Sequence, residues 1–440
     1  MSGTNENLLA FTAGDLVISV VGDVNDSGNY GDNQAAPIAL EELTTTGTVV
    51  GQMVLPQETE VVNGVTEYAT SGEYGSSSEG SLSLAADGQS LTIMGYGVNA
   101  ATYNTGGAGV YGNAALAQST SVPGGQYTPV ARVVADIGYN GKVDTSTAIY
   151  NIDDTNNPRS VATVNGTTFY ISGQGVKGDD TQGVFVADDG ASSATAIDTS
   201  TDTRSVEIVD GVLYVSRDST QGTSNIESYG TTLPTGATAG TPLSGIDGTI
   251  TLTAAQANGI DDSDVGGTIH LSPENFFFAS SNVLYIADGG DPKEGGLGDG
   301  GLQKWTETDG TWSLDYTLTD GLNLVADTAT SGTTGLIGLT GTVVGGVVEL
   351  FATNSTIGDT DQPFLYGITD TLAATTGAGE SFTILETAAP DTNIRGVSFA
   401  PTAPGQTTTS NGTIAAGATS SGIEVGSGST MLVQSGGTAE

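Results

Sequence analysis

The feature that most constrains this chain is an internal repeat of strand, tight turn and strand. Residues 159–172 read Arg-Ser-Val-Ala-Thr-Val-Asn-Gly-Thr-Thr-Phe-Tyr-Ile-Ser, and residues 204–216 read Arg-Ser-Val-Glu-Ile-Val-Asp-Gly-Val-Leu-Tyr-Val-Ser. Asn-Gly and Asp-Gly accept the positive φ that two-residue hairpin turns require, so each copy reads as a β-hairpin. The second-strand signature returns at Val283–Ala287 and more loosely at Val347–Ala352, while Leu91–Tyr96 follows an Asp87-Gly88 turn. Third strands follow at 183–186, 225–229, 302–305 and 364–368, and fourth strands at 312–318 and 381–385. Arg159 and Arg204 stand 45 residues apart, a spacing typical of propeller blades, and nothing between the units reads as a helix.

The expected fold is therefore all-β, a β-propeller of four-stranded antiparallel blades stacked around a ring. Residues Asn393–Phe399 look like a first strand with no second strand after it, and Asp15–Val20 look like a second strand with no first. Pairing the two ends in one sheet removes two open edges together. Six blades result, at Asp15–Thr59 plus Thr392–Ala400, Gly80–Ile149, Asn157–Thr199, Thr203–Ile246, Gly267–Gly321 and Gly335–Ala389. The irregular stretch Thr231–Asp264 has room for a seventh. Residues 1–14 form a lead-in, 15–403 the propeller and 404–440 a tail.

Composition narrows the chemistry. Fifty acidic residues against nine basic ones give a net charge of −41, which excludes phosphate-backbone binding and polybasic membrane attachment. Only 13% of residues are charged and 37% are apolar, so the acidity reflects scarce Lys and Arg in a folding sequence rather than disorder. Cysteine is absent and His270 is the one histidine, which excludes disulfides, thiolate chemistry and multi-histidine metal centres. No apolar run approaches the ~20 residues of a membrane-spanning helix.

The tail has a different texture, with aliphatic pairs flanked by Gly, Ser and Thr. Ile423–Gly428 is echoed by Met431–Gly437, a period of about ten residues that suits rungs of a parallel β-solenoid. These residues resemble the short Ser-Gly-Gly-Thr-Ala repeats of AIDA-type adhesin and autotransporter passengers, and the propeller portion resembles bacterial surface or secreted propellers. The resemblance implies an extracellular or cell-surface location. Met1–Asn7 lacks a basic leader region, so an N-terminal Sec signal is not expected. Gly436–Glu440 stops in mid-repeat, and the expectation is of a longer natural chain.

Three of the five arginines, Arg159, Arg204 and Arg395, precede or open equivalent first strands and would meet at one mouth of the central channel. They read either as a bidentate anchor for a carboxylate, phosphate or sugar acid, or as ties to acids such as Asp154, Asp202 and Asp391. Asp23, Asn25 and Asp26 present oxygen ligands in a Gly-containing loop that resembles the start of an EF-hand, but Gln34 stands where a bidentate Glu is needed. That loop reads as a calcium candidate or as an ordinary solvated turn, and Asp288–Glu294 and Asp179–Asp180 are weaker candidates. Trp305 and Trp312 read as blade packing or as a sugar-stacking platform. No catalytic residue can be assigned: a lone histidine with no Gly-x-Ser-x-Gly elbow supports no triad. The leading functional expectation is a non-enzymatic binding, adhesion or display module whose partners are a glycan, a surface polymer or further copies of itself, with no cofactor required. The alternatives are a calcium-assisted propeller hydrolase or lyase acting on carbohydrates or lactones, and a layer-forming structural subunit.

Overall fold

A computed structural model describes residues 10–22, 30–218, 223–253, 268–290, 300–325 and 328–405, with the backbone of four tail strands at Thr413–Ile414, Thr419–Ser420, Leu432–Val433 and Thr438–Ala439. The described chain is a β-propeller. Four of its sheets are four-stranded antiparallel meanders in sequence order. The Arg159 sheet comprises Pro158–Thr163, Thr168–Gly173, Gly183–Asp188 and Thr195–Asp198. The Arg204 sheet comprises Val206–Val209, Val212–Arg217, Asn225–Tyr229 and Thr241–Pro242. The Trp305 sheet comprises Pro273–Ser280, Val283–Asp288, Gly301–Thr308 and Thr311–Leu318. The last comprises Thr333–Val344, Val347–Thr356, Phe364–Thr371 and Thr383–Thr387.

The chain ends complete one another. Leu16–Gly22 lies between Ala35–Leu43 and Thr392–Phe399, with Val17 opposite Ser398 and Ile18 opposite Val397. This terminal sheet does not stand alone. The short strand Ser71–Glu73 pairs with Ala35–Pro37 on one side and bridges to Tyr96 on the other, fusing it with Ser90–Tyr96, Arg132–Gly138 and Val143–Ile149 into a nine-stranded sheet. A further hairpin, Glu60–Val62 with Val65–Glu67, turns at Asn63 and Gly64, both with positive φ.

Successive sheets touch around the ring, first strand to first strand except where the second strand Val212–Arg217 meets Pro273–Ser280. Ser83–Leu84 meets both Thr392–Phe399 and Pro158–Thr163, and Thr333–Val344 meets both Pro273–Ser280 and Thr392–Phe399. Each junction between successive sheets buries its own apolar cluster, such as Leu213 and Val215 against Tyr170 and Val184, or Leu302 and Tyr316 against Leu350 and Tyr366. Burial of this kind gains roughly 25 cal/mol per Å² of apolar surface. A polar clasp accompanies it. The hydroxyls of Ser19, Thr92, Ser172 and Thr353, all on second strands, donate to the carbonyls of Gly80, Val161, Arg204 and Arg395 at the start of the next sheet, at 2.5–2.8 Å.

Two local outcomes differ from expectation. A helix, Ala100–Tyr111, occupies the second unit, despite glycines at 106, 107 and 109 that disfavour it. Asn99 caps it by accepting the Thr102 N–H, and the rings of Tyr103 and Tyr111 stack at 4.5 Å beneath it, so tertiary packing outweighs propensity. Gly107 breaks its helical dihedrals at φ 48°. In the region read as room for a seventh unit, Thr249–Thr251 pairs with Thr268–His270 as a two-stranded ribbon, and residues 254–267 lie outside the described ones. In the tail, Thr413–Ile414 pairs in parallel with Leu432–Val433, and Thr419–Ser420 with Thr438–Ala439. The partners lie nineteen residues apart (413 to 432, 419 to 438), about twice the period read from the sequence. No described helix is long and apolar enough to cross a membrane.

Candidate channel-mouth site

First strands line the channel, which carries residues at their N-terminal ends to one mouth. Arg159, Arg204 and Arg395 meet there around a small open pocket, together with Ser78, Ser81 and Glu274. The pocket shares Ser78, Arg159, Arg204 and Glu274 with a much wider, predominantly polar funnel.

The three guanidinium groups differ in how they are compensated. Arg159 donates through Nη1 to Asp202 Oδ2 at 3.2 Å and to the Thr203 carbonyl at 2.9 Å, and through Nη2 to Gln174 Oε1 at 2.7 Å. Arg204 pairs with Asp218 at 3.3 Å in its own sheet and with Glu274 at 3.4 Å in the next, and it donates to Ser78 Oγ at 3.3 Å. Arg395 is 2% exposed, and its hydrogen bond among the described residues is a 3.4 Å contact to the main-chain carbonyl of Asp359. Of the acids expected as ties, Asp202 serves and the other two do not. Asp154 instead accepts from the Thr120 hydroxyl and the Ser121 N–H, and Asp391 sits in a left-handed turn with no ion pair to Arg395. Burial lowers the pKa of Arg159, with the Arg204 charge adding to it, and burial pulls Arg395 down to about 10. Burial also raises Glu274, against the opposing pull of Arg204.

Behind the mouth lies a cluster that sequence reasoning missed. Arg132 is fully buried, and its Nη atoms donate to the carbonyls of Val130, Ala117, Ser119, Asp153 and Asn156 at 2.7–3.3 Å. Its guanidinium lies 4.8 Å from the Tyr96 ring centre. The Tyr96 hydroxyl and Asn157 Nδ2 donate to Glu79 Oε1, and the Glu73 N–H donates to Glu79 Oε2 at 3.2 Å. Glu73 accepts the Ala117 N–H at 2.6 Å and lines the funnel. Burial, reinforced by the neighbouring Glu79 charge, pushes Glu73 up to about 8, so it holds a proton near neutrality. Burial also raises Glu79 and Asp153. The one available signal was the rarity of Arg, which marks Arg132 as it marks the other four; Glu73 and Glu79 sit among acids of every kind and carry none.

The other candidates resolve as follows. Asp23, Asn25 and Asp26 lie outside the described residues, and among the described residues no group of three or more His, Cys, Asp or Glu is placed to hold a metal ion. Asp288 is fully buried and accepts from Ser272, Gly290 and Gln303, which accounts for it as a structural residue. Trp305 and Trp312 are 1% and 7% exposed, Trp305 donating to Gln303 and Trp312 meeting Phe278 edge-on, so neither offers a sugar a ring face. His270 belongs to the two-stranded ribbon, opposite Thr249.

No protein-family model and no curated protein matches this sequence. Similar solved structures include a candidate 6-phosphogluconolactonase from Bacteroides uniformis, at 10% identity and TM-score 0.39 over 85% of this chain and 82% of that one. A Hadza microbial sialidase is 13% identical at TM-score 0.41, covering 78% of this chain and 63% of its own. TolB from Acinetobacter baumannii is 8% identical at TM-score 0.37, covering 88% and 67%. At such identities and scores, none carries an argument about activity.

Proposed function

We propose that this chain is a non-enzymatic binding and display module of a bacterial cell surface or secreted assembly. Its head would be a six-bladed propeller, counting the nine-stranded sheet as two blades fused through Ser71–Glu73, and its tail an AIDA-like solenoid stalk. The observation that carries this reading is the built mouth of the channel. Arg159 is held by Asp202, and Arg204 by Asp218 in its own sheet and Glu274 in the next, so the funnel is a rigid polar surface whose side chains are already ordered. Such preorganisation lowers the entropy cost of binding a polar ligand. The parallel strand pairs of the tail support a stalk. A glycan, surface-polymer and small-acid binding screen of the full chain, with and without calcium, tests the reading. Saturable binding without turnover is expected, and the absence of any retained ligand would overturn it.

One observation favours a second reading, a hydrolase or lyase acting on carbohydrate or lactone substrates, with calcium as its proposed assistant. Glu73, protonated near neutral pH and facing the funnel, has the properties of a general acid. Turnover of a glycoside or lactone that disappears in Glu73→Gln would establish that reading over the first.

A further inference from the structure

The channel mouth contains donors that the protein itself leaves unused. Arg395 Nε and Arg159 Nε, on side chains that are 2% and 4% exposed, are buried without a hydrogen-bond partner, and so is the hydroxyl of Ser81. All three residues line the small pocket at the mouth. Arg159 still has its Nη atoms engaged by Asp202, Thr203 and Gln174, but Arg395 has no carboxylate partner among the described ion pairs. The Asp359 and Glu79 charges act on Arg395 without a direct ion pair, and a buried guanidinium lacking a hydrogen-bonded carboxylate is costly, a cost that falls when an acceptor arrives.

We propose that this cavity is a carboxylate-binding site in which Arg395 is the principal anchor, assisted by Arg159 Nε and the Ser81 hydroxyl. The proposal rests on the binding-module reading and names its ligand class. A guanidinium presents parallel N–H bonds that match the two oxygens of a carboxylate, and burial strengthens them by excluding water. Neighbouring acids restrict the occupant to one anionic group. Glu274 is spoken for by Arg204, and Glu79 by Tyr96 and Asn157, yet both line the cavity and would repel a second negative charge. The hydroxyls of Ser77, Ser78 and Ser205 on the same wall suit the hydroxyls of a sugar acid, and the adjoining funnel leaves room for the rest of a chain that ends in one. Burial lowers the pKa of Arg395 to about 10 against the opposing pull of the Asp359 and Glu79 charges, so the guanidinium still carries its charge at neutral pH.

Calorimetric titration of the full chain with glucuronate, acetate and glucose tests this. Glucuronate should bind saturably and glucose should not. Acetate binding equally well means that the carboxylate alone is read, whereas weaker acetate binding means that the sugar hydroxyls add to it. Arg395→Gln should weaken glucuronate about tenfold or more, as loss of a charge-assisted bond requires. Ser81→Ala should weaken it by a smaller factor, and Arg217→Gln, whose side chain pairs with Glu227 away from the cavity, should leave it unchanged. Should Arg395→Gln fail to fold, Arg395→Lys and Ser81→Ala carry the comparison, with the lysine variant weakened because it lacks the planar fork. Wild-type protein that binds no carboxylate, or glucuronate affinity indifferent to all these cavity variants, would overturn the site. A neutral glycan bound alike by wild type and Arg395→Gln, with no carboxylate bound by either, would overturn the site and leave the display reading standing.

Discussion

Lys304 gives the sharpest test of how the sheets are joined. Its Nζ is fully buried between the Trp305 sheet and the last sheet, 3.2 Å from Asp370, and donates to the Thr371 carbonyl at 2.7 Å and the Tyr316 hydroxyl at 3.1 Å. The Tyr285 and Tyr316 hydroxyls both donate to Asp370 Oδ2, at 2.5 and 2.6 Å, and the ammonium sits 5.5 and 5.3 Å from their ring centres. Asp370→Ala removes the directly paired counter-charge, leaving only the nearby Glu380, and strands two hydroxyls in a buried site. Losing one partner of a buried pair costs about 3–5 kcal/mol, and the bonds that Lys304 keeps to Thr371 and Tyr316 place the loss within that range. For a propeller of this length that is a fall in melting temperature of roughly 5 °C, since unfolding entropy grows with chain length. Replacing both partners, as Lys304→Met with Asp370→Leu, leaves no uncompensated charge and should recover most of the loss. Chemical denaturation of wild type, both single variants and the double variant measures the coupling. A cost below about 1 kcal/mol for Asp370→Ala, or a double variant as unstable as the worse single one, would refute the reasoning.

Two further predictions concern the mouth and the ring. Glu73, raised from 4.5 to about 8, keeps its proton in the folded chain over a range where the unfolded chain has released it. Its contribution to stability is therefore full below about pH 4.5 and is lost as pH rises towards 8, so denaturation of Glu73→Gln should show a weaker decline with pH than wild type across that interval. Ser172→Ala deletes one inter-sheet clasp, a 2.5 Å bond to the Arg204 carbonyl, and should cost about 1 kcal/mol by denaturation while leaving the fold unchanged by circular dichroism.

The parts of the fold that were legible are those where local chemistry and global need agree. Asp210-Gly211 and Asp309-Gly310 both adopt positive φ and turn their hairpins as their residue types require. Asn165-Gly166 does not follow that pattern. Only the glycine has positive φ, because Thr163 pairs with Phe169 and leaves a longer loop between the strands. The unmatched strands at the two ends announced their own pairing. Ser172 and Ser216 hold the same place in the repeat, so even the clasp had a sequence trace, though Ser216 reaches Glu274 at a longer 3.5 Å. Ser71–Glu73 was invisible because three small or polar residues carry no strand period, and the helix was masked by its glycines. At the mouth, the shared position of Arg159, Arg204 and Arg395 could be read from the repeat. Asp202 could be named as a partner in advance, but Asp218 and Glu274 could not, because they reach Arg204 from separate sheets, nor could the main-chain carbonyl of Asp359 that Arg395 meets.

The closure of the ring through the chain ends is open to a direct measurement, because the chain has no native cysteine to interfere. Val17 faces Ser398 across the antiparallel pair of terminal strands, a separation that a disulfide spans. Val17→Cys with Ser398→Cys should cross-link within the monomer under mild oxidation and raise stability by up to about 6 kcal/mol, the chain-entropy gain of closing the loop from 17 to 398. Failure of the two thiols to join, or joining only between separate molecules, would contradict a propeller sealed by its own termini.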